Sequence, residues 1–139
     1  MSNVRPLSQL GMPPTTAIEI VREFWRLMQS NDFHSVAAVL GCEFVLEWPQ
    51  SKERIRGAER FARMNHEYPA HGAWRFAVSR LIGSEAEVVS EVEITDGVRN
   101  AKAISFFTVE DGKITRLVEY WPEPYSAAAN RAHLVEPMQ

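Results

Sequence analysis

At 139 residues, with 45% hydrophobic and 24% charged side chains, the chain has the balance of one folded domain rather than of a disordered segment. A formal charge of -3 without a run of Lys or Arg offers no basic field for phosphates and excludes a nucleic-acid partner, while no apolar stretch approaches the ~20 residues of a membrane helix, so the cytoplasm is the expected location. The single cysteine, Cys42, excludes an internal disulfide and a cysteine-built zinc site, and reads as a small buried thiol.

In chain order, residues 1–14 carry Pro6, Gly11, Pro13 and Pro14 without apolar periodicity and read as an N-terminal arm. A domain is expected over residues 15–125. Thr16 and Glu19 have the spacing of a capping box, and Ile18, Val21, Trp25 and Met28 follow at helical intervals, widened by Ile20, Phe24 and Leu27. Ser30-Asn31-Asp32 breaks the pattern and offers a new N-cap; Phe33, Val36, Val39 and Leu40 then predict a short second helix stopped by Gly41. Phe44, Leu46 and Trp48 alternate as a strand that Pro49 ends. Phe61, Met64 and Tyr68 predict a third helix between Gly57 and Pro69.

From Trp74 onward the period is two. Trp74, Phe76 and Val78 begin one strand, Gly83-Ser84 turns the chain, and residues 85–94 run back. Thr95-Asp96-Gly97 and Glu110-Asp111-Gly112 both suit three-residue hairpin loops, which would set Ser105 opposite Leu117, Ala103 opposite Glu119 and Ala101 opposite Trp121. One sheet face then carries Val89, Glu91, Glu93, Arg99, Ala101, Ala103, Ser105, Phe107, Leu117, Glu119 and Trp121. The other carries Val88, Val92, Ile94, Ile104, Phe106, Ile114, Val118 and Tyr120 and is continuously apolar. Periodicity alone leaves open which face meets the helices. Pro122, Pro124 and Ala127-Ala128-Ala129 lead into a C-terminal tail, residues 126–139.

Four pieces of this order are distinctive: Ser30-Asn31-Asp32-Phe33 between helices, Leu46-Glu47-Trp48-Pro49, Arg56-Gly57 before the third helix, and Asp111-Gly112-Lys113-Ile114. With Val118-Glu119-Tyr120-Trp121 at the end of the last strand, they resemble the nuclear transport factor 2-like superfamily in its SnoaL-like or ketosteroid-isomerase-like branch, over Thr16 to about Tyr125. The resemblance implies an α+β cone: three helices on a strongly curved, mostly antiparallel sheet whose concave face holds an apolar pocket and whose convex face packs on a second copy. It favours the Glu-bearing face as concave. The isomerase positions fall on Phe24, Trp48 and Ser105, so the isomerase's own acids and tyrosine are absent. The family spans isomerases, cyclases, dehydratases, epoxide hydrolases and non-catalytic binders, and the resemblance assigns no single activity.

Within that cone Glu119 and Glu91 are the candidate catalytic carboxylates, since two acids in a dry site push their proton affinities apart. Ser105 or Tyr68 is the candidate hydrogen-bond donor. Trp48, Met64, Tyr68, Trp74, Glu93, Ser105, Phe107, Leu117 and Trp121 are the candidate ligand-binding residues, and Trp25 is assigned to the core. The same alternation describes a solvated strand face bearing Glu85, Glu87, Glu91 and Glu93, because a one-residue slip exchanges the faces. His66 and His71 would sit in a lid and His34 and His133 on the surface; their spacing predicts no metal, and no motif predicts a cofactor. The expected partner is a small apolar or aromatic molecule. The expected role is a cofactor-independent proton-transfer enzyme acting on it, or a non-catalytic binder with the same pocket; a pure interaction domain would need the pocket filled by side chains.

Overall fold

The fold begins where Thr16 and Glu19 cap one another, Thr16 Oγ1 accepting from the Glu19 amide at 3.1 Å and Glu19 Oε1 from the Thr16 amide at 3.2 Å. The computed structural model describes residues 16–138, so the predicted arm over residues 1–14 lies outside the described residues. Helix α1 (Ala17–Gln29) buries Ile20, Val21, Phe24, Trp25 and Met28 on one side. Its exit turns on Asn31, at φ 63°, and the predicted second helix is a 3₁₀ helix, Phe33–Val39. Gly41 does not stop it: strand β1 (Leu40–Trp48) starts one residue earlier and Gly41 lies inside that strand.

Strand β2 (Glu53–Arg56) folds back on β1 as a short antiparallel edge that periodicity missed. Helix α2 (Ala58–Glu67) follows Gly57, whose φ of 88° belongs to glycine. Strands β3 (Arg75–Gly83), β4 (Glu87–Thr95), β5 (Asn100–Glu110) and β6 (Lys113–Tyr120) form an antiparallel meander. The sheet order is β2-β1-β6-β5-β4-β3, with β1 and β6 parallel. The result is an α+β fold with a curved, unclosed six-stranded sheet, its concave face covered by α1, α2 and the 3₁₀ helix. Among the described residues no helix is long and apolar enough to cross a membrane.

Two loops differ from expectation, with opposite consequences. Between β4 and β5 the loop holds four residues, because Thr95 pairs with Asn100. Asp96 causes this: its Oδ1 accepts from the amides of Val98 at 2.9 Å and Arg99 at 2.6 Å, building a side-chain-closed turn. Partner numbers across this hairpin therefore differ by an odd amount from those of a three-residue loop, and the faces of β4 exchange. Val88, Ser90, Val92 and Ile94 point inward, and Val89, Glu91 and Glu93 outward.

Between β5 and β6, Asp111 (φ 51°) and Gly112 (φ 76°) make a two-residue turn, and an irregularity between Thr108 and Val109 shifts the register again. Ser105 consequently faces Glu119, not Leu117, and Phe107 faces Leu117. Beyond the irregularity the displacement is even, so Ala103, Ser105, Phe107, Leu117 and Glu119 keep the concave face assigned to them. Ile114 lies on the near side of the irregularity and is fully buried, where an outward position was predicted. Cys42, predicted buried, is exposed on β1.

Candidate active site

The concave face has one polar level. Ser90 on β4 pairs with Ser105 on β5, which pairs with Glu119 on β6, and the parallel register of β1 brings Trp48 beside Glu119. Trp48 Nε1–H donates to Glu119 Oε1 at 3.1 Å, and Ser105 Oγ–H donates to Oε2 at 3.2 Å. Trp25 Nε1–H donates to Ser90 Oγ at 3.1 Å, so the first-helix tryptophan is tied to the same level. Burial pushes the Glu119 carboxyl above its ordinary value, and the Trp48 and Ser105 donors offset only part of that rise.

Above this level is a cavity of about 350 Å³, within the usual range for small-molecule pockets. Trp25, Trp48, Trp74 and Trp121 all line it, with Met28, Phe61, Met64, Tyr68 and Phe76 completing an apolar wall. Asn65, Arg99 and Asn100 contribute polar atoms, and among the described residues Glu119 is the one acid in the lining. Space remains because Ala101 lies where a larger residue would fill the wall.

Two wall tryptophans are held by their main chains. The Asn31 side chain accepts from the Trp74 amide and donates to the Trp74 carbonyl, both at 2.8 Å, as a neighbouring strand would. Gln50 does the same for Trp121, accepting from its amide at 2.6 Å and donating to its carbonyl at 3.4 Å. In the loop between β4 and β5, Asp96 Oδ2 accepts from the His71 amide at 2.9 Å and lies 3.1 Å from His71 Nδ1. The amides of Arg99, His71 and Val98 hold the Asp96 carboxyl well below the usual carboxylate range.

Of the predicted ligand-binding residues, Trp48, Met64, Tyr68, Trp74 and Trp121 line the cavity, and Ser105 lies beneath it against Glu119. Phe107 and Leu117 do not line it. Both are fully buried, Phe107 packing edge-on against Phe24 at 5.1 Å. Glu91 and Glu93 are on the convex face, where Lys102 Nζ approaches them at 3.5 and 3.3 Å and Arg80 pairs with Glu91 at 3.3 Å. The four-residue loop at Asp96 put them there, so Glu91 does not share the cavity with Glu119. Trp25 is buried as predicted yet also reaches the cavity wall. Met28, Phe61, Phe76 and Ile94 were legible as apolar positions but not as lining; Asn65 and Asn100 carried no signal.

Residues 21–117 match the SnoaL-like domain family. A candidate ketosteroid isomerase from Kribbella flavida DSM 17836 is 32% identical, with 86% of this chain and 87% of that one aligned at a TM-score of 0.79. An LEH-like epoxide hydrolase from M. tuberculosis is 29% identical over 78% of this chain and 86% of that one, with a TM-score of 0.63. A protein with a ketosteroid isomerase-like fold from Catenulispora acidiphila DSM 44928, crystallised with trimethylamine, shares the fold at a TM-score of 0.64 and 12% identity, covering 76% and 86% of the two chains. No curated protein matches the chain.

Proposed function

Given that the chain belongs to the SnoaL-like domain family, we propose that its cavity binds a small, apolar, cyclic molecule and that Glu119 moves a proton on it. One observation carries this reading: the carboxylate in the aromatic cavity is buried, raised in proton affinity, and fixed by two donors from neighbouring strands. A raised carboxyl is matched to proton transfer near neutral pH, where an ordinary glutamate is a poor acid. Each carboxylate oxygen accepts one hydrogen bond from the protein and keeps a second lone pair. As base, Glu119 takes a proton from carbon next to a carbonyl; as acid, it returns that proton to the same or a neighbouring atom. Isomerisation, the reaction named for the first relative above, requires such a transfer at carbon, whereas epoxide hydrolysis, named for the second, requires a proton taken from the attacking water and one delivered to the ring oxygen as its C–O bond breaks.

Trp48 and Ser105 occupy two positions where the isomerase resemblance places acids, and here both donate to Glu119. The acid enters from the adjacent strand instead, with the hydrogen bonds that orient it. The test is solvent deuterium incorporation into a panel of enolisable cyclic ketones, followed by NMR. The wild-type protein should accelerate exchange, and Glu119→Gln should lose roughly 100-fold or more of that acceleration. Saturable binding without exchange would leave a non-catalytic binding protein with the same cavity.

The convex face supports a second copy as partner. Ile82, Val89, Phe106 and Val118 are opposed in register across four strands, and Phe106 meets Tyr120 edge-on at 6.0 Å while both remain exposed. An apolar row of this length on an otherwise charged face is the composition of an interface core. Light scattering should report a dimer for the wild-type chain and a monomer for Phe106→Asp.

A further inference from the structure

Away from the cavity, three side chains of metal-ligating type meet on the surface where the 3₁₀ helix adjoins the end of α2. Asp32 precedes the 3₁₀ helix, His34 lies in its first turn, and His66 lies in the last turn of α2. One donor atom from each falls within 4.8 Å of the others. The two imidazoles stack at 5.1 Å, 24° from parallel, and Phe33 packs its edge against His66 at 5.0 Å.

Asp32 occupies an N-cap position, yet its carboxylate makes no capping hydrogen bond. The Ser35 amide is received by the Asp32 backbone carbonyl at 3.0 Å. The carboxylate thus stands beside two imidazoles instead of serving the helix, which is where an N-cap aspartate ordinarily contributes.

We propose that Asp32, His34 and His66 form a surface site for a divalent cation of the zinc class, with water completing the coordination. Two imidazole nitrogens and one carboxylate suit Zn²⁺ and its borderline neighbours, whereas Mg²⁺ and Ca²⁺ take oxygen donors. Stacked rings must tilt toward a common point to share an ion. Both histidines are exposed and free to tilt on their solvent side, exchanging the ring stack and part of the Phe33 edge contact for metal bonds. Glu59 lies 3.6 Å from His34 Nε2 and supplies a further carboxylate at the rim. Sequence spacing showed no metal motif because the two histidines come from separate elements and only the fold joins them. Bound there, the ion links the start of the 3₁₀ helix to α2, which supplies Phe61, Met64 and Asn65 to the cavity.

The test is calorimetry of the untagged full chain with zinc chloride, in parallel with magnesium chloride. Zn²⁺ should bind saturably at one ion per chain, with Mg²⁺ giving no saturable heat. His34→Ala and His66→Ala should each weaken Zn²⁺ binding by roughly tenfold or more, with thermal midpoints in the absence of metal close to that of the wild type. Hydrogen exchange at the last turn of α2 should slow on adding Zn²⁺ to the wild type and not to His66→Ala. Absence of saturable Zn²⁺ binding, equal affinity for Mg²⁺, or affinity unchanged in both histidine variants would overturn the site.

Discussion

Glu119→Gln should make the protein more stable at mildly alkaline pH while leaving it unchanged in acid. The wild-type carboxyl is raised by burial, so between its unfolded and folded titrations the native state holds the extra proton. Stability is therefore full below the unfolded value and is lost as pH rises through the folded one. Each tenfold gain in proton affinity on folding costs about 1.4 kcal/mol at pH above both titrations. About 1 kcal/mol shifts the midpoint of a domain this size by about 3–4 °C. Glutamine avoids that cost while keeping an oxygen for Trp48 and an amide for Ser105, the two groups now hydrogen-bonded to the carboxylate. Glu119→Leu also removes the charge but strands those two groups at about 1–3 kcal/mol each, so it should fall below Glu119→Gln at every pH. Calorimetric or dichroism melts of the three proteins across pH are the assay. A wild-type-minus-glutamine difference that does not change with pH, or a glutamine variant less stable in alkali, would refute the burial argument.

Trp121→Ala should weaken binding of a planar apolar ligand by about tenfold while costing less than about 2 kcal/mol of stability, because the indole is only half-buried and Gln50 holds the main chain regardless; fluorescence titration and urea melts measure the two. Asn31→Ala should cost about 1–3 kcal/mol, since it removes both hydrogen bonds to the Trp74 main chain and leaves a β-carbon at positive φ. Asn31→Gly should be milder because it relieves the backbone, and urea midpoints rank them. The depressed Asp96 carboxyl contributes stability that is present above its unfolded titration and disappears as pH falls toward the folded one. Asp96→Asn should therefore flatten the acid limb of the stability profile, as melts at descending pH would report.

The elements were legible where local chemistry decides them. The Thr16–Glu19 capping box, the apolar stripe of α1 and the alternation through Trp48 all recur in the fold. The concave placement of Glu119 rested on the family resemblance, since periodicity left the faces open, and it survived because the two-residue Asp111-Gly112 turn and the irregularity beside it together displaced the register by an even count. The same reasoning failed for Glu91 and Glu93. One aspartate side chain, closing a four-residue loop by accepting two amides, turned β4 over. A composition that fits both three- and four-residue loops cannot distinguish those outcomes, and each reverses the other. Phe107 and Leu117 share a face with Glu119 but belong to the packed core, Phe107 against Phe24 of α1, since a face assignment says nothing of position along the strand. The amide pairs of Asn31 with Trp74 and Gln50 with Trp121 join distant segments, and no local pattern marks them.

Catalysis in this cavity requires a proton held by a desolvated acid within reach of a bound molecule. Carbon-13 NMR of protein labelled at the glutamate carboxyl, titrated with and without a fused-ring ketone, observes that acid directly. The Glu119 resonance should titrate above the ordinary glutamate value and shift again when the ketone binds. A Glu119 signal that titrates at the ordinary value and ignores the ketone would contradict that claim.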